Sequence, residues 1–387
     1  MNHVVCCCDA GRTAGSGHLM RCLALAEELA ARGTTVRFVA DLGELPFAAR
    51  RLATAGFDWV PPGPDPVATV LGSAPPGPGG AEPAAAVCGA VAPHTAAPHT
   101  AVPRTVAPDA VVLDSYLMPP WVGERLRAAG RPVLALVDGD SPVQPADLYL
   151  DQNLGAERDP GPAPRLAGLR YALQRAEIRA HRPAQPRVAR AGRPGVLAFF
   201  GGTDPHGAAP VLAAALAATG VPCDVTVVAA TAELAAAVAT VPVPAGQRRR
   251  VIGPTDELAR LVTEADLVVA ASGTSAWELA CLGAAAALVC VVGNQRIGYG
   301  RAVETGAVAG LGELSALRED PAPATSTLRW LLTDRAERTR LHATAWQLVD
   351  GLGAGRVADA LAALRPAAAG RPRQIEPGIR SGPPSPE

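Results

Sequence analysis

His18 directly follows Gly15-Ser16-Gly17. Imidazole is the side chain best suited to move a proton near neutral pH. A Gly-x-Gly turn leading from a strand into a helix leaves backbone N–H groups unpaired at the positive end of the helix dipole, where an anion is favoured. The turn is not a dinucleotide fingerprint, because Arg21 and Cys22 stand where a third glycine would follow, and it has no phosphate-loop lysine. A proton carrier at the first helical position, aimed at a bound anion, is instead what a general base acting on a phosphorylated substrate requires.

Two further turns carry the same signature. Gly201-Gly202-Thr203-Asp204 offers paired glycines for close main-chain approach and a threonine hydroxyl. Asp204 serves equally well as a helix cap or a functional group. Ser272-Gly273-Thr274-Ser275 opens another helix, and Glu278 one turn later is placed to accept from ribose hydroxyls. Asn294 and Gln295 add neutral amides suited to sugar oxygens, and Arg21 and Asp114 are counted with the ligand-binding residues. Metal chemistry has little to work with. Of seven histidines, His94 and His99 sit in a Pro-His-Thr-Ala repeat, and no pair has ligand spacing. No Gly-x-Ser-x-Gly elbow marks a serine hydrolase.

These residues need elements to position them. His3–Cys8 reads as a buried strand, His18–Arg32 as a helix with Leu19, Cys22, Leu23, Ala26 and Leu29 on one face, and Thr35–Ala40 as the next strand. Further strands are expected at Ala110–Asp114, Pro132–Val137 and Ala146–Leu150, each ending in polar residues. After an Arg- and Pro-rich linker over 179–193, strands recur at Gly195–Phe200, Asp224–Val228, Arg249–Ile252, Leu267–Ala271 and Ala286–Val292, with helices filling most of the remainder to Leu364. The pattern is α/β, with two Rossmann-like doubly wound domains at 1–180 and 194–365 facing each other across a cleft. The Pro/Gly/Ala-rich stretch 72–108 is expected to be a disordered insertion, and 366–387 a disordered tail.

Composition narrows the partners. Hydrophobic residues make up 49% of 387, enough for two cores, and 35 basic residues balance 36 acidic ones. That balance argues against nucleic acid, and Arg248-Arg249-Arg250 reads as a solvated corner. No signal peptide or membrane span is legible, and eight cysteines without bridging or zinc spacing fit small buried side chains in the cytoplasm. No cofactor is expected, and the chain is read as a monomer or weak homo-oligomer.

Gly15-Ser16-Gly17-His18-Leu19-Met20-Arg21-Cys22, Asp114-Ser115-Tyr116, Tyr171-Ala172-Leu173, Gly201-Gly202-Thr203-Asp204-Pro205 and the run from Glu278 to Asn294-Gln295 occur in one order. Together they resemble the UDP-2,4-diacetamido-2,4,6-trideoxy-β-L-altropyranose hydrolases of pseudaminic acid synthesis and the related spore-coat polysaccharide proteins. The resemblance covers residues 1–70 and 110–365. It implies a GT-B fold like that of the MurG-type glycosyltransferases, and metal-free displacement of UDP by water with inversion. His18 would then be the base, Tyr116 and Asn294 active-site partners, and Gly201, Gly202, Thr203, Ser272 and Glu278 the holders of UDP. A glycosyltransferase of the same architecture, with His18 deprotonating a sugar hydroxyl, is the alternative. A non-catalytic nucleotide-sugar-binding protein is the third reading.

Overall fold

The computed structural model describes residues 1–11, 16–43, 45–72, 107–138 and 143–364. Gly15, nearly all of the stretch 72–108, both repeat histidines and the segment 366–387 lie outside the described residues. The first unit contains β1 (His3–Cys8), β2 (Thr35–Val39), β3 (Asp58–Val60), β4 (Ala110–Asp114), β5 (Val133–Leu136), β6 (Leu148–Asp151) and β7 (Arg165–Ala167). The second contains β8 (Gly195–Phe199), β9 (Asp224–Val228), β10 (Arg248–Ile252), β11 (Leu267–Ala271), β12 (Ala286–Cys290) and β13 (Val308–Glu313). All pairings are parallel, in the orders β3-β2-β1-β4-β5-β6-β7 and β10-β9-β8-β11-β12-β13. These are two Rossmann-like doubly wound domains.

Parallel strands covered by helices on both faces must be apolar throughout. Every residue of β1, β4, β11 and β12 is buried accordingly. Cys6, Cys7 and Cys8 serve as small core side chains, and Cys6 and Cys8 share one face with the helix Gly17–Ala31. The expected run of helices after β12 is interrupted by β13. Its burial alternates as an edge strand's does, and Gly310 leaves room for the Tyr299 hydroxyl, which a Cβ there would meet at 2.5 Å. The short edge strands β3 and β7 were also not anticipated. The three arginines at 248–250 form part of β10 at the sheet margin, where charge discourages further pairing.

Arg179 holds the 179–193 segment to Glu28 of the first unit, and the arginines after it tie it to the second. Arg182 donates to the Cys281 and Trp346 carbonyls, and Arg187 to carbonyls at the end of the helix Leu258–Glu264. The last helix, Gly353–Ala363, returns to the first unit. Its apolar residues Ala354, Val357, Ala358 and Leu361 pack into the first unit's core against the helix Gly17–Ala31, although its position in the chain falls within the 194–365 segment. Gly353 makes this docking possible, because a Cβ there would lie 2.2 Å from the Ala172 carbonyl oxygen and 2.6 Å from the Tyr171 carbonyl carbon. Gly353→Ala is expected to destabilise the protein by about 1–3 kcal/mol in chemical denaturation, because backbone cannot yield as a side-chain tip can. Helix propensity alone predicts the opposite sign, so a stabilised variant would refute the tight seat. Among the described residues, no helix is long and apolar enough to cross a membrane.

Candidate active site

In a doubly wound sheet the ligand crevice opens where neighbouring strands send their connections to opposite faces, beyond the strands' carboxyl ends. The strand orders place those points between β1 and β4 in the first unit and between β8 and β11 in the second. The loops singled out from sequence follow β1, β4, β8 and β11. Three glycine-rich turns therefore meet. A Cβ on Gly17 would stand 3.1 Å from the Thr274 hydroxyl, and one on Gly202 would stand 3.0 Å from the Ser16 hydroxyl and 2.7 Å from the Phe47 ring. Gly273 faces the Gln295 amide in the same way, at 3.6 Å.

On the first unit's side the turn delivers His18 to Asp114. His18, the second residue of the helix Gly17–Ala31, is buried, and its Nδ1 lies 2.6 Å from Asp114 Oδ1 at the end of β4. Arg21, one turn along, grips the same carboxylate with Nε on Oδ2 and Nη2 on Oδ1, both at 2.5 Å. Its Nη1 reaches Asp138 Oδ2 at 2.6 Å. The Tyr116 hydroxyl donates to Asp138 at 2.9 Å, while the Tyr116 ring meets the imidazole edge-on with centroids 4.5 Å apart. Asn153 donates to both Asp138 and Asp151. Asp9, just beyond β1, accepts from the Ser115 hydroxyl and the Tyr116 and Leu117 N–H groups, which fixes the loop bearing Tyr116.

The charges follow from this packing. Burial alone would raise Asp114 and Asp138, but the Arg21 guanidinium reverses it, holding Asp114 well below the usual carboxylate range and Asp138 below its ordinary value. Burial, then Asp138, pushes the Tyr116 phenol upward, so it stays a neutral donor. A carboxylate accepts and never donates. Nδ1 therefore carries the hydrogen toward Asp114, and in the neutral ring the lone pair falls on Nε2. No hydrogen bond falls on Nε2 among the described residues.

Of the two roles left open for Asp204, helix cap or functional group, the second unit shows the cap. At Gly201-Gly202-Thr203-Asp204 the end is filled by Asp204, whose carboxylate accepts from the Ala208 and Ala209 N–H groups at 2.8 and 3.0 Å, from a left-handed backbone at φ 40°. Asp204 is a cap. The helices starting at Gly17 and Ser275 have no side-chain cap. Gly201, at φ 80°, has open space beside it, and Thr203 is half-buried. Glu278, expected to meet a ribose, is engaged by Arg175, whose Nε and Nη2 lie 3.0 Å from Oε1. Arg175 also pairs with Glu177.

Ser272 is buried at the end of β11 with its N–H on the Val289 carbonyl. Gln295 Oε1 accepts from the Val291 N–H, closing the loop after β12. Asn294 is exposed in the turn Gly293–Gln295 and makes no hydrogen bond to the His18 cluster among the described residues. The structure thus joins His18, Arg21, Asp114 and Tyr116 directly and brings Gly17, Gly202, Gly273, Thr274 and Gln295 to the same junction. Asp138 and Asn153, expected only as polar residues at strand ends, join the site, as does Arg175, which was not singled out. Asp138 was findable, since it ends the strand beside β4. Among the described residues no group of three His, Cys, Asp or Glu is arranged to hold a metal ion.

Solved structures share this two-unit arrangement. MurG of Acinetobacter baumannii superposes with a TM-score of 0.61 at 17% identity, covering 94% of this chain and 100% of its own. The calicheamicin glycosyltransferase CalG4 gives 0.58 at 17% identity over 94% and 98%, and the spinosyn rhamnosyltransferase SpnG, complexed with thymidine diphosphate, 0.58 at 18% over 93% and 100%. At such identities the likeness establishes a common fold, the GT-B pair of Rossmann-like domains. No family model and no curated protein sequence matches the chain.

Proposed function

We propose that this protein transfers a glycosyl group from a nucleoside-diphosphate sugar to a hydroxyl, with His18 as the general base and Asp114 as its orienting partner. One observation carries the reading: a His–Asp pair stands at one domain's crevice, on a glycine turn that meets the uncapped turn at Thr274 of the other domain. In the reaction the acceptor O–H gives its proton to Nε2, and its oxygen bonds to the anomeric carbon. The bond from that carbon to the diphosphate oxygen breaks, and the nucleoside diphosphate leaves with the electron pair. A single displacement inverts the configuration. N–H groups of the turns at Gly17 and Gly273–Ser275 are suited to the charge that develops on the leaving diphosphate. The glycosyltransferase names of the structural neighbours, one of them bound to thymidine diphosphate, agree with this donor class.

A second reading rests on the motif set from Gly15-Ser16-Gly17-His18 to Asn294-Gln295. In it, water takes the acceptor's place and a UDP-linked diacetamido-trideoxy sugar is hydrolysed. The two readings separate in one assay. A panel of UDP- and dTDP-sugars is incubated with the protein, with and without sugar acceptors, and nucleoside diphosphate release is measured. Release that depends on an acceptor supports transfer, and equally rapid release without one establishes hydrolysis. Silence across the panel under both conditions would defeat both readings.

A further inference from the structure

The first unit's site holds one cation between two carboxylates, and the cation touches the base. Arg21 Nη2 lies 3.0 Å from His18 Nδ1, the nitrogen whose hydrogen already points at Asp114. A guanidinium has only donors, so this contact cannot be a hydrogen bond while Nδ1 bears its proton. It is a positive charge set against the ring that must itself turn positive during turnover. The same Arg21 takes both oxygens of Asp114, so the carboxylate's charge is largely spent before the imidazole uses it.

We propose that Arg21 is a positioning residue that sets the pH range over which His18 works as a base, and that Asp138 tunes Arg21 from the far side. This deepens the glycosyl-transfer reading and rests on it for the catalytic arm of the test. A His–Asp pair without a third member favours imidazolium, and an imidazolium cannot accept a proton. Arg21 opposes that tendency while still leaving Asp114 able to hold the ring's orientation. Asp138, bound to Nη1 and also to Tyr116 and Asn153, draws part of the guanidinium's charge away.

The groups facing His18 are few. From its own helix come Arg21 and, through Asp114, Cys22, whose thiol lies 3.7 Å from Oδ2. Asp114 comes from the end of β4, and Tyr116 from the loop after it. Asp9 and Asp151 stand one partner further out, bound to the Tyr116 backbone and to Asn153. Among the described residues, the second unit gives His18 no charged partner.

Removing Arg21 and removing Asp138 should therefore act in opposite directions. Arg21→Gln is expected to move the acid limb of the kcat/KM profile upward by about one to three pH units, with turnover recovering at high pH. Arg21→Lys keeps the charge without the fork and should move the limb less. Asp138→Asn should move it downward. The His18 imidazole titration, followed by NMR in the intact protein without substrate, should show the same displacements. This arm does not depend on the donor. Shifted titrations in a protein inactive with every donor would uphold the role of Arg21 and remove the glycosyl-transfer reading. Uniform loss of kcat at all pH values, with the titration unmoved, would overturn the proposal. Should Arg21→Gln not fold, Asp138→Asn carries the test, and an upward or absent shift there counts against it.

Discussion

His18→Ala is expected to lower kcat by about 10²–10⁴-fold, the range a placed base contributes, while UDP affinity stays within about twofold of the parent's. The split follows from the geometry. The proton acceptor is lost, but the N–H groups of the glycine turns belong to the backbone and stay where they are. Calorimetric titration with UDP beside steady-state turnover reads both quantities. Among the described residues the Nε2 lone pair has no evident substitute, because Tyr116 is held as a neutral donor on Asp138 and the Asp114 oxygens are occupied by Arg21 and Nδ1. Near-parental turnover would mean that another group takes the proton.

Asp114→Asn is expected to cut kcat on the order of 10³-fold or more, and unlike His18→Ala it should weaken the fold. An amide in place of the carboxylate can present N–H to the ring, which favours the tautomer that points the lone pair the wrong way. It also leaves Arg21, which is 5% exposed, with Asp138 as its remaining carboxylate partner in these contacts. Breaking a buried ion pair from one side costs about 3–5 kcal/mol, and chemical denaturation would register it. An Asp114→Asn protein with parental kcat would show that the 2.6 Å contact orients nothing.

Much of this was legible in the sequence because it is local. β1, the glycine turn and the helix after it follow each other within the first 31 residues, and periodicity finds each of them. The second unit repeats the grammar, so Gly202 and Ser272 were found in the same way. The pairing of His18 with Asp114 was not legible, since it spans 96 positions and depends on β4 entering the sheet beside β1. The tasks of Asp204 and Glu278 were equally hidden, because a carboxylate near a helix start serves caps, ion pairs and ligands alike. Position in the chain also misplaces the final helix, which packs on the helix Gly17–Ala31 of the first unit. The three-residue edge strands fell below the length at which alternation is visible.

That final helix bears on how the chain reaches its native state. Domains ordinarily fold in order of synthesis, the first before the second has left the ribosome. Here the first domain's core lacks Ala354, Val357, Ala358 and Leu361 until the last described turns have been made. The face of the helix Gly17–Ala31 that they cover must wait, open to water, while the whole second domain is translated. Completion of the first domain is thus a late event, and any chain cut short before Gly353 carries His18 on an unfinished core.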